Sequence, residues 1–342
     1  MQWRIRRIVL GVLAAALVLA MTLLLGAVHD SFLSETDRAV GFFGADTWVV
    51  PEGISGPFTT NSPMDTAAAI PLGRLPGTEE VAAVAIFRHV VRGAAPGYTD
   101  VNVIAYPPDS IVRARTIAGR EPRTVDEVAA DEQLHVPIGR VLTLAGRRLT
   151  VVGIVHGLTY NGGTPTVLVT LTQGQQIAFG GQPLASALIM RGEPEGVPDG
   201  LRTMTPTQVR DDLRRPLSVA TGTIGVLSIL LWVVAAGIVG FICYLSGLDR
   251  MRDLAVFKAI GVTTRRLVSG VVVEGLLVSV LAAAVAVTLA LLFVPVFPLA
   301  VEVTVASCLQ LLVVALVIGL LASGASVRQA VRVDPALAFS HS

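Results

Sequence analysis

Four apolar runs divide the chain: Ile8–Val28, Leu217–Leu245, Leu267–Val294 and Val303–Val327. Each is long enough to cross a bilayer as a helix, which takes about 20 apolar residues. Only Glu274 interrupts the third. Between the first two runs the pattern changes. Short β-branched stretches alternate there with Gly, Pro, Asn and Asp. "DTWVVPEG" predicts a strand ending in a turn, and "VAAVAIFRHVV" and "TDVNVIAYPP" predict further strands. "RVLTLAGRRLTVVGIV" predicts a hairpin turning at Ala145-Gly146, and "TPTVLVTLTQGQQIAF" a strand that runs into a short helix. "TVDEVAADEQL" predicts a helix, because Thr124 and Glu127 have capping-box spacing. Residues 53–76, rich in turn formers, predict a loop. The region therefore reads as α+β, and no fixed-period repeat runs through it.

A further helix start stands at Thr205-Pro206-Thr207-Gln208, with a cap residue, proline at the first helical position and a completing glutamine. No breaker follows before Pro216, and the second apolar run begins at once. This predicts a helical stalk entering the second span, with a kink at Pro216.

Composition agrees with membrane residence. Hydrophobic residues make up 53% of the 342 and charged residues 15%, against about 25% charged in soluble domains. A net charge of +1 gives no electrostatic footprint for nucleic acid. Lys and Arg sit on alternate flanks: Arg4, Arg6 and Arg7 before the first run, Arg250, Arg252, Lys258, Arg265 and Arg266 between the second and third, and Arg328 and Arg332 after the fourth. The short connection Pro295–Glu302 has none. By the positive-inside rule both termini are cytoplasmic and the large domain is extracytoplasmic. The first run exceeds a usual signal-peptide core and exits through "GAVHDS", a poor cleavage site, so it is expected to stay as an anchor. Cys243 and Cys308 fall at opposite depths of their spans, too far apart for a disulfide.

No catalytic or nucleotide-binding signature is present: the chain lacks G-x-x-x-x-G-K-[ST], H-E-x-x-H, Cys-x-x-Cys and G-x-S-x-G. His29, His89, His135, His156 and His341 are scattered without metal-ligand spacing. Asp126, Glu127, Asp131 and Glu132 read as a solvated helix face rather than a metal cluster. Glu274 is an ionisable group inside a span, expected either to snorkel or hydrogen-bond between helices near the inner interface, or to make a polar contact that changes as the spans move.

The charged stretch "DRMRDLAVFKAIGVTTRRLV" (249–268) stands between two uncharged runs. On a helical projection Leu248, Met251, Ala255 and Ala259 form one apolar stripe, and Val256, Phe257 and Ile260 a second patch. A surface-lying helix needs only one stripe, so two imply two neighbours. Gly261 is placed to end this helix and Thr263 or Thr264 to cap the next.

"RMRDLAVFKAIGVTTRRLVSGVVVEGLL" resembles the signature of FtsX-like permeases, the membrane subunits of MacB-type ABC transporters. Asp253, Lys258, Ala259, Gly261, Arg265, Arg266 and Glu274 fill the family's places, with Asp253 where the family more often has Glu. "ASGASVRQAVRVDPALAF" is similar to the family's C-terminal close through Ala330, Arg332, Asp334, Pro335 and Ala336. The resemblance implies four spans with a large α+β extracytoplasmic domain after the first. It implies the segments 1–28 (first span), 29–205 (domain), 206–246 (stalk and second span), 247–266 (coupling helix), 267–294, 303–327 and a cytoplasmic tail at 328–342. It also implies a second permease copy, a separate cytoplasmic ATPase that binds ATP and Mg, contact with membrane lipid, and room for an extracytoplasmic partner. Asp253, Phe257, Lys258, Ile260, Gly261, Arg265 and Arg266 are then the expected ATPase-coupling residues, in a bacterial cytoplasmic membrane. The expected function is ATP-driven motion of the external domain on a lipid, lipoprotein, peptide or other envelope substrate. The alternatives are a regulator of a cell-wall hydrolase, or a membrane sensor without an ATPase.

Overall fold

The computed structural model describes residues 2–60, 63–249, 256–257, 260, 262–294 and 303–332. Its helices are α1 (Gln2–Gly41), α2 (Ala69–Leu72), α3 (Leu171–Ala178), α4 (Pro206–Arg214), α5 (Ser218–Asp249), α6 (Thr264–Phe293) and α7 (Val305–Arg332). Its strands are β1 (Thr47–Pro51), β2 (Met64–Asp65), β3 (Thr78–Arg92), β4 (Tyr98–Tyr106), β5 (Thr116–Gly119), β6 (Glu127–Asp131), β7 (Val141–Leu144), β8 (Arg147–Val155), β9 (Thr159–Tyr160), β10 (Thr164–Thr170), β11 (Leu184–Ala185), β12 (Ala187–Gly192) and β13 (Leu201–Met204). The chain forms two compact units: residues from Phe32 to Val219, and the chain on either side of them.

The first unit is built on an eleven-stranded mixed sheet of order β13-β1-β12-β3-β4-β10-β6-β8-β5, with β7 and β9 paired alongside and β2 with β11 as a separate ribbon. The period of two separates its faces. Ile104 and Tyr106 of β4, Leu168 of β10 and Ala129 of β6 enter one core with Ala39 and Val40 of α1, Phe43 just after it, and Val209 and Leu213 of α4. Their neighbours Val103, Ala105, Val167, Val169, Val128 and Ala130 enter a second core on the opposite face. The predicted strands and the hairpin at Ala145-Gly146 form as β1, β3, β4, β7–β8 and β10, and α3 follows β10 directly.

The predicted helix over 124–134 does not form. Residues 127–131 are strand β6, parallel to β8 and antiparallel to β10, and Glu132–Leu134 is a 3-10 turn. Helix-favouring alanines are overruled because Val128, Ala129, Ala130 and Asp131 are all buried in the middle of the sheet, and only a strand feeds both cores at once. The acidic residues are therefore not a solvated helix face. Asp131 is fully buried, and its carboxylate accepts from the backbone N–H groups of Gln133 at 3.0 Å and Leu158 at 2.7 Å. Burial raises its pKa above the ordinary value, with those two bonds opposing. Glu127 forms a two-pronged ion pair with Arg120 and accepts from the N–H of Arg123, and Arg120 foremost holds its pKa down to about 2. Within 53–76, expected as a loop, lie β2, a 3-10 turn at Thr66–Ala68 and α2.

At the stalk, Thr205 accepts from the Gln208 N–H and the Gln208 side chain returns the bond, so the capping box is complete and Pro206 sits in the first turn. Pro216 does not break the path: a 3-10 turn, Arg215–Leu217, joins α4 to α5.

In the second unit, α1, α5, α6 and α7 each bury a stripe at helical spacing. Ala15, Ala16, Leu19, Leu23 and Ala27 form it on α1, Ala282, Ala283, Ala286 and Ala290 on α6, and Leu311, Ala315, Ile318 and Ala322 on α7. Four helical segments are long and apolar enough to cross a membrane: Val9–Gly41, Pro206–Leu248, Thr264–Phe293 and Val305–Gly324. Cys243 and Cys308 are both free.

Candidate functional site

Three places carry polar or apolar groups that packing alone does not explain. The first is the connector between α5 and α6. Of its expected coupling residues, Phe257, Ile260, Arg265 and Arg266 are described, whereas Asp253, Lys258 and Gly261 lie outside the described residues. Phe257 is 47% exposed, Ile260 71% and Val256 44%. One turn orders them: the Ile260 N–H donates to the Val256 carbonyl at 3.1 Å, and the Val262 N–H to that of Phe257 at 3.0 Å. Phe257 and Ile260 thus stand about one helical turn apart on an apolar patch that no described residue buries. Thr263 occupies the N-cap position of α6 in extended conformation but makes no side-chain cap bond. Arg265 and Arg266 follow in its first turn, both exposed.

The second place lies two turns further along α6. The Ser246 hydroxyl of α5 donates to the Glu274 carboxylate at 2.6 Å. Glu274 therefore makes the inter-helix polar contact expected of an ionisable residue within a span. One residue on, the chain has no room. A Cβ on Gly275 would stand 2.9 Å from the Gly319 carbonyl oxygen, and one on Gly319 would stand 2.2 Å from the Ser279 hydroxyl. Glycine and serine here let α6 and α7 approach backbone to backbone, the small-residue packing by which helices associate in lipid. Neither Gly275 nor Gly319 is legible from the hydropathy pattern; the spacing Gly275–Ser279 is the sequence signal for it.

The third place is the root of α4 in the sheet unit. Asp37 of α1 ion-pairs with Arg210 at 3.2 Å and Arg214 at 3.1 Å. Two residues earlier, buried Glu35 accepts from the Thr159 hydroxyl at 3.2 Å and the Gly163 N–H at 3.1 Å. Asp212, 1% exposed, accepts from the Phe58 N–H at 3.2 Å and from the Thr59 hydroxyl. Arg202 donates to the carbonyls of Ile54 and Ser55 at 2.7 and 2.8 Å. The loop 54–59 is thereby clamped over an aromatic cluster: Phe58 meets Phe43, Trp48 and Tyr160 at centroid distances of 6.2, 6.0 and 5.5 Å. Sequence reasoning missed this joint, since its partners are more than a hundred residues apart.

Of the C-terminal motif, Arg332 is the last residue of α7, while Asp334 and Pro335 lie outside the described residues. No group of three or more His, Cys, Asp or Glu able to hold a metal ion occurs among the described residues.

Comparison with known proteins supplies the family. Residues 225–335 match the FtsX-like permease C-terminal model, and residues 8–198 the MacB-like periplasmic core domain model. An uncharacterized ABC transporter permease of Mycobacterium bovis is 41% identical over 340 residues, which is 99% of this chain and 97% of that one. A second such permease, from Mycobacterium tuberculosis, is 38% identical over 339 residues, again 99% and 97% of the two chains. Among solved structures, the extracellular domain of the noncanonic ABC-type transporter YknZ from Gram-positive bacteria aligns at TM-score 0.35 and 13% identity, over 47% of this chain and 99% of that one. The periplasmic region of MacB from Actinobacillus actinomycetemcomitans aligns at TM-score 0.35 and 9% identity, over 52% and 96%. With four helices fit to span and relatives matched nearly end to end, the chain is a multi-pass membrane protein of the FtsX-like, MacB-type family of ABC transporter permeases.

Proposed function

We propose that this permease passes the stroke of a separate cytoplasmic ATPase to the domain between its first and second spans, and that this domain handles a lipid, lipoprotein, peptide or other envelope substrate. The observation that carries the reading is the exposed patch Val256, Phe257 and Ile260. It lies on a connector whose arginines mark the cytoplasmic side. Large apolar side chains left uncovered and ringed by charge are the usual anchors of a protein interface. Lys258 and Asp253 would set register, and Arg265 and Arg266 would meet acidic groups of the ATPase. ATP and Mg would be bound by that partner, since the chain has no phosphate-binding loop. The same flank charges put both termini in the cytoplasm and the sheet unit outside. A pair of permeases is the natural counterpart of a paired ATPase, and a homodimer is the simplest form.

The test is co-purification. Phe257→Asp combined with Ile260→Asp is expected to abolish recovery of the cognate ATPase in mild detergent while membrane insertion persists. Undiminished recovery would remove the coupling assignment. Neutralising Arg265 and Arg266 together is expected to lower ATPase stimulation; unchanged stimulation would reassign them to lipid phosphates.

A further inference from the structure

A cavity of about 350 Å³ opens among α1, α5 and α7, inside the helical unit. Its origin is plain in α5. The buried stripe of that helix starts at Ala235 and continues through Val239, Ile242 and Cys243, while residues 218–234 bury no side chain. The first half of α5 therefore lines the space without closing it. Glycines keep it open: Gly26 of α1 and Gly225 of α5 both line it, and a Cβ on either would meet nothing within 4 Å. These are not close-approach glycines like Gly275 and Gly319, and glycine weakens a helix relative to alanine.

The lining is graded. α1 runs opposite to α5 and α7, so Asp30, Gly225 and Ser307 fall at one end of the cavity, and Leu23, Trp232 and Val314 at the other. Residues 22 to 30 of α1 span about 12 Å at 1.5 Å per residue, the reach of a single alkyl chain of moderate length. At the polar end the Ser307 hydroxyl donates to Asp30 at 3.2 Å. Asp30, an exposed residue, is the one carboxylate in the lining; its neighbour His29 lines the space too, no Lys or Arg does, and Asp30 has no ion-pair partner among the described residues. The deeper Thr22 hydroxyl is satisfied within its own helix by the Val18 carbonyl at 2.9 Å, so it makes no polar demand. A carboxylate without an ion-pair partner above an apolar slot favours a cation with a hydrocarbon tail over an anionic lipid.

We propose that this cavity binds an amphiphile with one apolar chain in the slot and an ammonium head at Asp30. The inference rests on the chain being a membrane permease and not on ATPase docking, so the two can fail separately.

The full-length permease without ATPase, in phosphatidylglycerol nanodiscs, provides the test. The probe is an ω-brominated dodecylamine, whose bromine quenches tryptophan at contact. Saturable quenching is expected in the parent and absent from Trp232→Phe. Asp30→Asn is expected to weaken apparent binding at least tenfold, and Gly26→Leu, which fills the slot one turn from Asp30, to abolish it. The brominated alkyl sulfate of the same chain is expected not to saturate. Equal binding of amine and sulfate, or unchanged affinity in Asp30→Asn or Gly26→Leu, would overturn the proposal. Competition by phosphatidylethanolamine would make the bilayer the source of the amine, and lack of it a free cationic amphiphile; both outcomes keep the site.

Discussion

Asp212 holds the loop 54–59 shut, and removing its carboxylate should open that loop without unfolding the sheet. In Asp212→Ala the Phe58 N–H loses its acceptor at 3.2 Å in a part-buried setting, and the Thr59 hydroxyl loses its partner too. A buried donor left unpaired costs about 1–3 kcal/mol, whereas exposed Thr59 can turn to water at little cost. The local penalty is thus about 1–3 kcal/mol, and at about 1.4 kcal/mol per decade it speeds amide exchange roughly five- to a hundredfold. Hydrogen–deuterium exchange on the full-length permease in detergent reads this directly in peptides covering 54–60. Gly56→Ala should give the same phenotype by another route, because its Cβ would fall 2.3 Å from the Asp212 carboxyl. Amides of β4 and β10, deep in the sheet, should be unaffected in both variants. Should 54–60 exchange at the parental rate, or the whole sheet accelerate with it, Asp212 is not a local clamp and the reasoning fails.

Gly319→Leu should force α6 from α7 at Ser279 and cost about 1–3 kcal/mol or more by overpacking, read as a lower melting temperature in detergent. Gly237→Leu, whose Cβ would meet nothing within 4 Å, should leave the melting temperature nearly unchanged. Asp131 should make the sheet unit less stable as pH rises: its folded pKa is raised above its ordinary 3.8, so its contribution is full below that value and is lost as pH climbs through the folded pKa. Asp131→Asn should flatten that part of a stability–pH curve, and an unchanged slope would assign it to other groups. Asp37→Ala should cost no more than about 1 kcal/mol, since its ion pairs with Arg210 and Arg214 are partly solvated. A larger loss of melting temperature would mean that charge, rather than the Phe43 and Leu213 packing, holds the joint.

The four spans and most strands are legible in the sequence because each follows from a local period. Hydropathy marks the helices, and β-branched runs between turns mark β1, β3, β4, β8 and β10. The Thr205 cap is local too, and forms as read. The stretch 127–131 is misread for the opposite reason. Its alanines and its Thr124–Glu127 spacing favour a helix locally, and only the presence of β8 and β10 on either side decides for a strand. The carboxylates follow the same rule: Asp131 and Asp212 look like surface charge in the sequence but are buried acceptors for backbone donors brought in from elsewhere. The connector patch is legible as Val256, Phe257 and Ile260 because it is a helical projection, whereas the cavity beside Asp30 is not, since three helices from distant parts of the chain enclose it.

The two units are also held by different forces, and this bears on how each can move. The sheet unit buries aromatic and aliphatic side chains such as Trp48, Tyr160 and Leu168, and water drives that burial. In lipid no such drive acts between helices, and only packing and hydrogen bonds remain. The contacts of α6 with α7 are made accordingly through Gly275, Ser279 and Gly319, where backbones meet. α5 differs from both. Its second half is fastened by the Ala235–Cys243 stripe and the Ser246–Glu274 bond, while Val226, Ile229, Leu230 and Val233 of its first half stay exposed. Apolar exposure costs nothing against acyl chains, so the first half of α5 keeps its place without burying a side chain, whereas the α6–α7 pair cannot part without losing its packing. Among the described residues the buried side chains of α5 thus lie in its second half, and a chain filling the Asp30 cavity would add packing against its first half.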